Sequence, residues 1–140
     1  MAQIRTTTPG RWFMRVLWLG ILVNLALAIA TMALPAMLLR LNRLPPAEPL
    51  MWAQFSALLL ILLSIFYMPA GIDPDRYRFN AWMAVASRLV GVVFFLLFQL
   101  PVYRNLGLID LVFFIPEVIL LTIAVKSSAA AAAAGTVKTI

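Results

Sequence analysis

The sequence predicts an all-α protein, a four-helix transmembrane bundle forming a single membrane domain over 1–140 with both termini in the cytoplasm. Three observations lead there. Apolar residues make up 64% of the chain and charged residues 11%, against about 25% charged in ordinary soluble domains. Four long runs carry almost no charge, and each is long enough for the roughly 20 residues a spanning helix needs. The basic residues stand at the ends of those runs, where they set orientation and meet lipid head groups.

The first run has 24 uncharged residues between Arg15 and Arg40, and predicts a helix at about 14–40. It exceeds the 7–15 apolar residues typical of a signal-peptide core, so it is read as a retained span. Pro45, Pro46 and Pro49 make the first link a short turn. The second run has 24 uncharged residues between Glu48 and Asp73 and predicts a helix at about 50–69. Pro74 ends it, and Asp73 or Asp75 is placed to cap the next helix. The third run, between Arg78 and Arg104, holds one charge, Arg88, and predicts a helix at about 79–103. A turn around 103–107 makes the last two helices an antiparallel hairpin. The fourth run, between Arg104 and Lys126, holds Asp110 and Glu117 and predicts a helix at about 106–126. The tail at 127–140 is read as flexible or as a helical extension, its six alanines at Ala129–Ala134 being strong helix formers.

Arg5, Arg11, Arg15, Arg76, Arg78, Lys126 and Lys138 fall on one side, and Arg40, Arg43 and Arg104 on the other, seven against three. The positive-inside rule puts the richer side, with both termini, in the cytoplasm. Trp12, Trp52, Arg76, Tyr77, Arg78 and Trp82 lie near helix ends as interface anchors.

Inside the spans runs a seam of polar side chains. Asn24, Ser64, Arg88 and Glu117 each stand nine or ten residues from the cytoplasmic charge of their run, about 13–15 Å deep. Arg88 and Glu117, at matching depth on the two arms of a hairpin, are expected to form an ion pair. An arginine stays charged, and a lone charge at the bilayer centre costs at least about 2.5–3.5 kcal/mol. Pro116 frees the carbonyl of Val112, a further acceptor for Arg88. A second polar group of Gln54, Gln99 and Asp110 lies nearer the outer face, with Arg104 placed to reach Asp110.

The chain has no cysteine and no histidine. It therefore has no disulfide and lacks the best ligands for zinc, copper, haem and iron–sulfur centres, and no Ser–His or Cys–His nucleophile system can be assembled from it. No metal site and no catalytic residue is expected. Phe94, Phe95, Phe98, Phe113 and Phe114 could line a pigment, quinone or lipid groove, but such residues more often serve helix packing. The net charge of +6 is explained by topology and lipid contact, so no nucleic-acid partner is expected.

The basic N-terminus, four spans and short turns resemble the small four-helix bacterial inner-membrane proteins of the DoxX-like kind. That resemblance implies an accessory or ligand-handling membrane bundle. The small multidrug-resistance transporters also have four helices, but their essential glutamate lies in the first helix, where this chain has Asn24. The leading expectation is a non-catalytic accessory subunit of a larger complex (respiratory, photosynthetic or transport) in a bacterial plasma membrane, with lipids and larger membrane subunits as partners. The alternative is a stand-alone binder or transporter of a small amphipathic or anionic molecule, using Arg88 and Glu117.

Overall fold

The computed structural model describes residues 3–137, with side chains described through 134; Lys138 of the charge count lies outside the described residues. Among them the chain is helical throughout. Five α-helices appear: α1 (Thr8–Ala33), α2 (Pro35–Leu41), α3 (Met51–Ile72), α4 (Arg78–Val93) and α5 (Arg104–Val137). Four segments are long and apolar enough to cross a membrane, the third being α4 with its continuation to Phe98.

Local chemistry sets the ends of these elements, and in several places corrects the expected boundaries. α1 begins at Thr8, earlier than 14, because the Thr7 hydroxyl accepts the Gly10 N–H at 3.0 Å and a proline occupies the first turn. It stops at Ala33, short of 40, because Pro35 forces its predecessor Leu34 out of helical geometry. The residual turn is the short α2. α4 ends at Val93, and Phe94–Phe98 form a π-helical turn. Gln99 and Leu100 are extended ahead of Pro101, so the chain leaves the helix before 103. α5 continues through the alanine block, which resolves the tail as a helical extension through Val137.

Neither Asp73 nor Asp75 caps α4, whose N-cap position, Tyr77, makes no side-chain cap bond. Asp73 accepts from the backbone N–H groups of Asp75 and Arg76, both at 3.2 Å, and so shapes its own turn. Asp75 reaches back to the chain start. Its two carboxylate oxygens accept the backbone N–H groups of Ile4 (2.8 Å) and Arg5 (3.2 Å). Both donors belong to a 3₁₀ turn, Ile4–Thr6, and the Ile4 side chain is fully buried.

The four long helices form a closed ring. α1 packs against α3 and α5, and α4 against the same two, leaving α1 diagonal to α4. Neighbours run antiparallel. Gln54 at the start of α3 donates to Met32 O at the end of α1 (3.4 Å), and Asn80 at the start of α4 donates to Phe66 O near the end of α3 (2.9 Å).

The core is not centred along the bundle. Phe13, Leu17 and Ile21 of α1, Tyr67 and Ala70 of α3, Ala81, Ala84 and Val85 of α4, and Leu121 of α5 make one buried cluster. All lie between the middle of each helix and the end nearer the N-terminus and the α3–α4 link, with Ile21 at the midpoint of α1. Toward the other end burial is sparse, and α2 and the 94–103 segment contain no buried residue. Alanines dominate the α4 contribution, which lets helix backbones approach closely there.

Candidate functional site

The polar centre of the bundle is built on Arg88, ten residues into α4 and only 3% exposed. Its Nε donates to Glu117 Oε1 at 3.2 Å and its Nη1 to Asp110 Oδ1 at 3.1 Å. One guanidinium thus holds two carboxylates, and both come from α5. Seven residues separate Asp110 from Glu117, close to two full turns, so they share a face about 10 Å apart along the axis. The fork of the guanidinium bridges that spacing. Glu117 is fully buried, whereas Asp110 keeps 25% of its side-chain surface exposed.

The pairing of Asp110 differs from the expected contact with Arg104. At about 100° per residue, six residues turn Arg104 roughly 120° away from Asp110, whereas Arg88 faces it from the neighbouring helix. The Val112 carbonyl likewise plays no part. Both Arg88 bonds go to carboxylates, and the Val112 side chain points outward from the bundle.

Three surrounding features shape the pocket around the guanidinium. Its Cζ lies 4.6 Å from the centroid of the Phe113 ring, a cation–π contact in a setting that keeps water away. Gly20 of α1 faces Nη2 across the ring diagonal, and a methyl group there would overlap that nitrogen. Gly91 of α4 faces Asp110 in the same way, and its methyl would overlap Oδ2. The two glycines are therefore notches that admit one guanidinium and one carboxylate. On the α3 side the Tyr67 hydroxyl hydrogen-bonds Ser87, whose hydroxyl also reaches Ala84 O at 2.9 Å.

Two buried polar atoms remain without a hydrogen-bond partner: Arg88 Nη2 and Glu117 Oε2. Both belong to the same ion cluster.

The other residues of the expected seam are not joined to this centre. Ser64 is buried, but its hydroxyl donates to Leu60 O of its own helix at 2.8 Å. Asn24 is buried on α1 one turn beyond Gly20 and makes no hydrogen bond to another described group. Gln99 lies in the extended segment after the π turn, away from the Arg88 cluster. Of the anchors, Trp12, Trp52 and Trp82 are exposed near helix ends, Arg15 stacks on Trp12 with Cζ 4.9 Å from the ring centroid, and Arg76 lies over Tyr77 at 5.5 Å. Arg78 is exposed at the first residue of α4. Of the aromatic cluster, Phe94 and Phe98 face outward, and Phe113 serves the guanidinium.

Helical spacing puts Gly20 and Gly91 on the inward stripes of their helices, but does not show that they face the Arg88 and Asp110 side chains. With α1 beginning at Thr8, Gly20 stands twelve residues into its helix and Arg88 ten into its own, a depth match of about 3 Å. Counting from Arg15 instead concealed it.

No family model matches the chain, and no curated protein or solved structure is significantly similar to it.

Proposed function

We propose that the protein is a non-catalytic accessory subunit of a larger bacterial membrane complex, inserted with both termini in the cytoplasm. The observation that supports this most is where the bundle puts its charge. Arg88, Asp110 and Glu117 close on one another in the interior, so the buried chemistry is spent on joining α4 to α5. A buried pair of this kind fixes which helices pack together. The outward faces are apolar, including the exposed Leu58, Leu59, Leu62, Leu63 and Phe66 of α3. Such faces seat neighbouring spans as readily as lipid. The test is extraction from native membranes in mild detergent, with quantitative mass spectrometry of what co-migrates on native gels. Larger membrane chains in fixed stoichiometry support the reading. Isolation alone, or only as self-assemblies, refutes it.

A stand-alone binder of a small anionic or amphipathic molecule is the second reading. The unpartnered Arg88 Nη2 and Glu117 Oε2 favour it, because a ligand group inside the ring that both accepts and donates, such as a hydroxyl, would satisfy both. It predicts that small amphipathic or anionic molecules carrying a hydroxyl group raise the melting temperature of the purified protein and that Arg88→Met abolishes the effect.

A further inference from the structure

A groove of about 530 Å³ lies between α1 and the last turn of α3, at the end of the bundle that carries the N-terminus. Arg11 and Arg15, four residues apart on one helix face, stand at its mouth. Leu19 and Leu22 continue down α1 below them, the latter about 10 Å deeper than Arg15. Gly71 forms the facing wall. It is held there by Trp18, whose indole N–H donates to Gly71 O at 3.0 Å. A side chain at Gly71 would crowd that indole, with a Cβ only 2.8 Å from Trp18 Nε1.

Neither arginine has a carboxylate partner; the salt bridges among the described residues belong to Arg88. The carboxylates of the nearby link are occupied, Asp73 by its own turn and Asp75 by the Ile4 and Arg5 amides. Arg15 is steadied on the Trp12 ring. The groove therefore presents two free cations at head-group level above an apolar floor.

We infer that this groove is a binding site for one anionic glycerophospholipid, its phosphate between Arg11 and Arg15 and an acyl chain along Leu19 and Leu22. Charge complementarity selects the occupant, because a zwitterionic lipid brings an ammonium group to a place that already carries two positive charges. The inference rests on the chain being a membrane bundle, and is independent of whether it is a subunit.

The test is native mass spectrometry of the full chain released from detergent micelles containing equal amounts of phosphatidylglycerol and phosphatidylcholine. The wild type is expected to retain one phosphatidylglycerol preferentially. R11Q/R15Q should weaken that preference by about fivefold for each arginine removed. R40Q/R43Q removes the same charge at the opposite end and should leave it intact. L19W/L22W keeps both arginines but fills the groove and should also lose the lipid. Equal retention of the two lipids by the wild type, or equal loss in the two arginine variants, overturns the site. Full retention by L19W/L22W overturns the acyl-chain placement. The melting temperature of each variant, measured in the same micelles, shows that loss of lipid is not loss of fold.

Discussion

Asp110 and Glu117 bind opposite arms of one guanidinium, at 3.1 and 3.2 Å, although they stand two helical turns apart on α5. Arg88 thus works as a crossbar along its neighbour, tying two successive levels of α5 to a single point on α4. The arrangement needs room, and Gly20 and Gly91 supply it.

Replacing Glu117 with leucine should strand Arg88 on its most buried side. A loss of about 3 kcal/mol is expected, read as a lower melting temperature in detergent. Asp110→Asn should cost about 1 kcal/mol, because that side chain is partly exposed and the amide still offers an acceptor. Adding Arg88→Met to Glu117→Leu should recover part of the loss. A Glu117→Leu protein that melts with the wild type would show that the pair carries no stability.

Glycine to alanine within a helix ordinarily stabilises by roughly 0.5–1 kcal/mol. At Gly20 and Gly91 the sign should reverse, since each methyl overlaps an end of a side chain bonded in the Arg88–Asp110–Glu117 cluster, and making room for it stretches or breaks a bond of that cluster. A loss of about 1–3 kcal/mol is expected for either alanine variant, the usual range for overpacking. Thermal melts of Gly20→Ala and Gly91→Ala that rise above wild type would refute the notches.

Asp75→Ala removes the acceptor for the Ile4 and Arg5 amides. The N-terminal turn should open locally while the bundle stays folded, at a cost of about 1–2 kcal/mol. Hydrogen exchange is the measurement. Faster exchange confined to the first turn is expected, and unchanged exchange there would show that the buried Ile4 side chain alone holds it.

The absence of cysteine makes single-cysteine labelling clean. Thr6→Cys and Arg76→Cys should react with an impermeant thiol reagent from one side of the membrane, and Ala47→Cys from the other. Labelling of Thr6→Cys and Ala47→Cys from the same side would refute the bundle's topology.

Much of this was legible because charge in a membrane is costly and sparse. Runs without charge located four spans, and matched depth paired Arg88 with Glu117. What escaped depends on azimuth and on local backbone chemistry. Asp110 was matched to Arg104 by proximity along the chain, which ignores the turn of the helix. The break at Leu34 was signalled by Pro35 and hidden by the continuous hydropathy around it. The π turn at Phe94–Phe98 has no composition of its own. Asp75 looked like a cap for the helix that follows it, because its real donors lie about 70 residues earlier.

The notch at Gly20 also restricts how the bundle can move. Sliding α1 along its axis by one turn, about 5.4 Å, would bring Val16 or Asn24 to the position of Gly20 opposite the guanidinium, where a side chain crowds it. Steric register at Arg88 therefore opposes piston motion of α1. The compliant end is the opposite one, where Pro35 interrupts α1 and the π turn loosens α4. Displacements passed through this protein would travel as splaying of those helix ends about a locked waist.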